Sequence, residues 1–167
     1  MDKSLVPDLR DAHTDDLYEV LALNEKALPH VSSVVLEDML KFLEQAAYFK
    51  IIGDIKGFLI ALRPGLDYAS DNYCWFSNNF DDFLYIDRIV IAEDARRQGL
   101  GSQLYKDVIE TARGCSPRLT CEVNSQPPNP QSMVFHEAFG FSCIGTQLTE
   151  GGTKEVSFLS LDLHPLN

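Results

Sequence analysis

An apolar run, Leu84 to Ile91, breaks into the polar linker Ala92-Glu93-Asp94-Ala95-Arg96-Arg97-Gln98 and restarts as a helix beyond Gly99 and Gly101. In that helix Leu100, Leu104 and Val108 recur at four-residue spacing with Ile109 and Ala112 beside them, and Gly114 stands where a terminator belongs. A glycine turn between a strand and a helix presents the first N–H groups of the helix, which have no intrahelical acceptor, at the positive end of its dipole. Such a turn is an anion site, and pyrophosphate is its usual guest.

The side chains narrow the choice of phosphate ligand. A P-loop needs Lys and then Ser or Thr after its second glycine, but Gly101 is followed by Ser102-Gln103. The dinucleotide fingerprint needs a third small residue, and Leu104 occupies that place. What remains is Arg96-x-x-Gly99-x-Gly101 a few residues past a strand ending in Val90-Ile91. This resembles the acyl-CoA-binding motif of the GNAT superfamily of N-acetyltransferases. A second stretch extends the resemblance. Arg118 to Asn124 reads as a strand, Asn129-Pro130-Gln131-Ser132 follows, and Met133 to Ala138 runs as a helix into Phe139-Gly140-Phe141. The pattern Ser132…Phe135-His136…Gly140-Phe141…Ile144-Gly145 looks most like the phosphinothricin-acetyltransferase-type branch, which acts on small amino compounds.

Composition sets wider bounds. The chain has 167 residues, 45% of them hydrophobic, which suits one domain spanning 1–167 with its own core. A net charge of -11 argues against a nucleic-acid partner, because phosphate neutralisation needs a basic face, and favours the drawing-in of cations. Met1-Asp2-Lys3-Ser4 shows no basic segment followed by an apolar run, and no stretch approaches transmembrane length, so a cytoplasmic protein without a membrane partner is expected. Cys74, Cys115, Cys121 and Cys143 form no C-x-x-C pair; reduced thiols are expected, with Cys121 and Cys143 as small core residues and no metal site.

The periodicities give an element order. Val6 to Asp11 reads as a strand, and Thr14 as the cap of a helix turning Leu17, Val20, Leu21 and Leu28 inward before Pro29. Ser33 reads as the cap of a second helix with Leu36, Met39, Leu40, Leu43 and Ala47 on one face. Tyr48–Ile52 and Ile55–Leu62 flank Gly53-Asp54 as a hairpin. Phe83–Ile91, the Gly99 helix, Leu119–Val123, the Ser132 helix, Ile144–Leu148 and Val156–Leu163 complete the order, with Glu150 to Thr153 as the last turn. The expected fold is an α/β sandwich with a mixed, mostly antiparallel sheet and helices on both faces. Its two central parallel strands flank the Gly99 helix. The resemblance further implies a V-shaped split between those strands, where an acyl thioester threads.

Acyl transfer to an amine needs a proton acceptor and a donor to the carbonyl oxygen, and the leaving thiolate benefits from an acid. The resemblance implies acetyl-CoA as co-substrate, held by Arg96, Arg97, Gln98, Gly99, Leu100, Gly101 and Ser102. It also implies pairing of the pantetheine with backbone at Ile89, Val90 and Ile91, and places Asn129 on the CoA side. The candidate base is Asp87, a carboxylate out of keeping with Leu84, Ile86, Ile89 and Ile91; the alternatives are a salt bridge to a nearby Arg or a solvent-facing position. Glu122 is a second candidate. Arg88 reads as a clamp on a substrate carboxylate or as a surface charge. His136 stands where many superfamily members carry a tyrosine acid; it reads as an acid or as a packing histidine.

Asn124 and Trp75 are candidate substrate contacts. Trp75 lies in Leu66–Asp82, which reads as a long loop mixing Tyr68, Tyr73, Phe76 and Phe80 with Asp67, Asp71, Asp81 and Asp82. Those rings suit an ammonium, or else cap the core or a dimer contact. The function expected is acetyl transfer to a primary amine of a small molecule in a ternary complex. A silent acyl-CoA sensor and a protein acetyltransferase are the alternatives. Strand edges near the C-terminus make a homodimer possible.

Overall fold

Short β-branched and aromatic runs punctuated by Gly and Asp build a seven-stranded sheet among the described residues, 7–163, of a computed structural model. Val6 and Met1–Ser4 lie outside those residues. The strands are β1 (Leu9–Asp11), β2 (Tyr48–Ile52), β3 (Gly57–Leu62), β4 (Leu84–Ile91), β5 (Arg118–Gln126), β6 (Ser142–Thr149) and β7 (Lys154–Asp162), ordered β1-β2-β3-β4-β5-β7-β6. β1–β2, β2–β3, β5–β7 and β6–β7 are antiparallel. β4 and β5 are parallel, with Leu84 opposite Leu119 and Tyr85 opposite Thr120. The helical crossover between those two strands is what permits parallel pairing. The expected mixed α/β architecture is present.

The helices are α1 (Leu17–Lys26), α2 (Leu36–Gln45), α3 (Asp71–Asn79), α4 (Leu100–Arg113) and α5 (Pro130–Ala138). Two compact units are distinguishable, the chain up to Leu62 with Asp87–Val108, and Arg63–Ile86 with the chain from Ile109 onward. In the first unit β3 is buried along its whole length, as its unbroken apolar run Gly57-Phe58-Leu59-Ile60-Ala61-Leu62 requires of an interior strand. Leu17, Val20, Met39, Phe42 and Ile51 share that unit's core. The second unit has an aromatic core in which Phe76 lies 6.1 Å from Phe83, 5.5 Å from Tyr85 and 5.2 Å from Phe158.

Several expectations need correction. Leu66–Asp82 is not a loop throughout: it contains α3, whose cap Ser70 accepts the Tyr73 N–H at 3.3 Å. Thr14 does not cap α1. Thr14–Asp16 forms a 3-10 turn, and the Asp16 carboxylate accepts the His13 N–H at 2.8 Å while gripped by the Arg10 fork at 2.9 Å. Those contacts, the Arg10 hydrogen bond foremost, hold the Asp16 carboxyl down at about 2. Leu28 lies beyond the end of α1 and is exposed, and the inward position there belongs to Asn24. α2 starts after Val35, whose N–H is taken by Asp38, and its inner face is Met39 and Phe42 while Leu40 is exposed. Cys121 is buried, but Cys143, on the edge strand β6, is exposed.

Candidate active site

The approach to the glycine turn is anchored within the first unit. The Ala92 N–H donates to Lys56 O at 2.7 Å, Lys56 Nζ meets Asp94 at 3.1 Å, and Ala95 is buried. Arg96, Arg97, Gln98 and Gly99 then stand exposed. Arg97 and Gly99 are left-handed, with φ of 65° and 77°, so the backbone reverses twice before α4 begins. The Gln103 N–H closes on Gly99 O at 3.1 Å. The N–H groups of Leu100, Gly101 and Ser102 therefore belong to the first turn, where a helix supplies no acceptor. Nothing stands within 4 Å of where a Cβ on Gly99 would be, so the loop is open to a ligand at that point. Open backbone, helix dipole and two exposed guanidinium groups fit the pyrophosphate of acetyl-CoA. Leu100 itself is buried and anchors the helix.

Upstream of that loop, Val90 is buried while Ile89 and Ile91 are half-buried. Asp87 and Arg88 form an ion pair of 2.7 Å, each side chain 3% exposed. The Arg88 guanidinium also donates to Asn24 Oδ1 at 2.9 Å, to Ser32 O at 3.0 Å and to Ser32 Oγ at 3.0 Å, and lies over the Phe42 ring. Asn24 passes its own amide hydrogens to Ser32 O and to Glu25, which in turn accepts from Ser33 Oγ. Hydrogen bonds from Ser33 and Asn24 keep the Glu25 carboxyl below its ordinary pKa. Arg88 is thus neither a surface charge nor an open fork: it ties β4 to the connection between α1 and α2. For Asp87, the salt-bridge alternative is the observed arrangement.

In the second unit, Glu122 of β5 is half-buried, and its Oε2 accepts the Tyr85 hydroxyl at 2.7 Å. Its register partner on β7 is Phe158, on which Trp75 of α3 stacks at 4.1 Å. Asn124 is half-buried one rung further along β5, opposite Val156. α3 therefore brings Trp75 to the sheet face that carries Glu122. Tyr73 and Phe76 of the same helix are core residues.

His136 of α5 is 5% exposed, packed 5.3 Å from Phe141 and 5.5 Å from Phe135, with Nδ1 2.7 Å from Ser132 O. A carbonyl only accepts, so Nδ1 carries the hydrogen. Burial lowers the imidazole pKa, against a smaller raising effect of the Ser132 carbonyl, and keeps the ring neutral. This arrangement matches a packing histidine. Asn129 is the N-cap of α5: its Oδ1 accepts the Ser132 N–H at 3.2 Å, ahead of Pro130 in the first turn.

Sequence reasoning gave no site role to Tyr85, Asn24, Ser32, Gly145 and Gln147. Tyr85 sits in an apolar strand like any core residue, and only the parallel register of β4 and β5 reveals its partner.

Residues 47–141, more than half of the chain, match the acetyltransferase (GNAT) family. No curated protein matches the chain by sequence. Among solved structures it is similar to a GNAT-family acetyltransferase from Streptococcus pneumoniae, at 22% identity and a TM-score of 0.72 over 95% of this chain and 99% of that one. It is also similar to the ribosomal-protein-S18-alanine N-acetyltransferase from Escherichia coli, at 16% identity and 0.71 over 96% of each. A third likeness is to yncA, a putative acetyltransferase from Salmonella typhimurium solved with acetyl-CoA, at 18% and 0.69 over 96% of each. At such identities the likeness is one of fold.

Proposed function

Because the chain belongs to the acetyltransferase (GNAT) family, we propose that it is an acetyl-CoA-dependent N-acetyltransferase acting on a primary amine of a small molecule by direct transfer. Acetyl-CoA supplies the activated acetyl thioester. The loop Arg96–Gly99 and the first turn of α4 bind its pyrophosphate, and β4 backbone at Ile89–Ile91 pairs with its pantetheine.

Glu122 is the proton acceptor in this reading. The observation that carries it is the environment of that carboxylate: half-buried, beside aromatic rings, and oriented by the Tyr85 hydroxyl. Asp87, the other candidate, is locked in its pair with Arg88. The substrate nitrogen arrives as an ammonium and leaves as an amide. It loses two protons, one to Glu122 and onward to water, the other to solvent, which protonates the departing thiolate. A C–N bond forms and a C–S bond breaks. His136, neutral and hydrogen-bonded within its own helix, is not assigned the acid step; solvent serves. The exposed thiols of Cys74, Cys115 and Cys143 suit the reducing cytoplasm.

A protein N-terminus is the second reading, favoured by the likeness to the ribosomal-protein enzyme. Thiol release from acetyl-CoA over amino acids, polyamines, aminoglycosides and short peptides separates the two. Turnover with a small amine supports the proposal, and turnover with peptides alone overturns it.

A further inference from the structure

Directly opposed residues of antiparallel strands carry their side chains to the same face of a sheet. The register therefore puts Glu122, Phe158 and Gly145 on one rung across β5, β7 and β6, and Asn124, Val156 and Gln147 on the next. Trp75 lies over this face, 16° from parallel with the Phe158 ring. It reaches so far because Gly145 has no side chain: a Cβ there would stand 2.9 Å from Trp75 Cζ2. Phe76 closes the inner side against Phe158 and Tyr85. Trp75 and Glu122 are only half-buried, so the surface they form remains accessible, and Gln147 is half-buried with its Oε1 shielded.

The elements that form this face carry acceptor atoms. Glu122 brings a carboxylate. Gln147 Oε1 on β6 and Asn72 Oδ1, next to Trp75's helical turn, are shielded from water with no hydrogen-bond partner. A buried acceptor of this kind costs free energy until a donor reaches it. Among the cations of the same unit, Arg63 pairs with Asp82 at 3.3 Å, Arg113 with Glu110 at 3.2 Å and Lys154 with Glu150 at 3.4 Å, while Arg118 lies over the Phe80 ring at 4.0 Å with its Nε lacking a hydrogen-bond partner. Arg88, the one fork expected to hold a substrate carboxylate, is closed on Asp87, Asn24 and Ser32. Aromatic faces, a carboxylate and donor-seeking amide oxygens suit a ligand rich in N–H and positive charge.

We propose that this face is the acceptor subsite and that it selects an aliphatic amine bearing a second ammonium, a diamine or polyamine, over amines that carry a carboxylate. The inference rests on the acetyltransferase reading above and names its substrate class. One ammonium meets Glu122, gives up its proton and forms the new C–N bond as the thioester C–S bond breaks. The methylene stem lies on Trp75, and the second ammonium donates to the amide oxygens.

Three acceptors with the same reacting amine and stem test this: 1,4-diaminobutane, n-butylamine and 4-aminobutanoic acid. The expected kcat/KM for the diamine exceeds that for butylamine about tenfold, the aminobutanoate being poorer still. Trp75→Ala raises the KM for the diamine about tenfold while the KM for acetyl-CoA holds. Gln147→Leu brings the diamine KM up towards that of butylamine. Gly145→Ala, checked for folding by circular dichroism, repeats the Trp75→Ala effect by pushing the indole aside. Preference for the aminobutanoate, or an unchanged diamine KM in Trp75→Ala, overturns the subsite and leaves the enzyme reading standing. Acetyl-CoA binding with transfer to none of the three, nor to peptides, overturns both.

Discussion

Asp87 and Glu122 are both carboxylates on central strands, and their surroundings give them different work. Asp87 is sealed against Arg88, whose remaining hydrogens reach Asn24 and Ser32 across sequence separations of 64 and 56 residues. Removing one partner of a buried pair strands the other charge. Arg88→Met is therefore expected to lower stability by about 3 kcal/mol in urea titrations. His136 makes a different prediction. Burial depresses its pKa below the ordinary 6.5, so between those values the unfolded chain binds a proton that the folded chain refuses. Its contribution is full above pH about 6.5 and declines as the pH falls towards the folded value. The stability difference between the protein and His136→Asn should shrink over that window in melts at successive pH values. A difference that is constant with pH would mean the ring is not held neutral.

At the scale of elements, α4 and its loop were legible because two independent signals coincide: glycines at the turn, and apolar residues at helical spacing after it. Every one of Leu100, Leu104, Val108, Ile109 and Ala112 is buried. α3 was missed because Asp71, Asn72, Ser77, Asn78 and Asn79 give it the composition of a loop. Its signal was present in Ser70 as a cap and in Tyr73, Phe76 and Phe80 at helical spacing. Ser70→Ala should cost about 1 kcal/mol and loosen α3, seen as faster hydrogen exchange over Asp71–Asn79. The candidate site was legible only in part. The glycine loop is local in sequence and could be read. Glu122 could be suspected but not ranked, because Tyr85 and Phe158 reach it through strand register and Trp75 reaches Phe158 through helix packing. Arg88 misled for the same reason: a guanidinium next to a carboxylate reads as a clamp until its tertiary partners are known.

The whole chain carries a net charge of -11, and its proposed acceptor is cationic. Long-range attraction then raises the encounter rate, and salt screens it over about 8 Å at physiological ionic strength. The kcat/KM for a diamine should fall as sodium chloride is raised, with kcat less affected; a flat profile would remove steering from the account. The central claim is that this GNAT-family chain transfers acetyl groups with Glu122 as the proton acceptor. It is tested most directly by thiol release from acetyl-CoA with 1,4-diaminobutane, comparing the protein with Glu122→Gln while calorimetry follows acetyl-CoA binding. The account predicts that kcat drops about 100-fold or more in the variant and that acetyl-CoA binds as before. Equal turnover by the two proteins would contradict it.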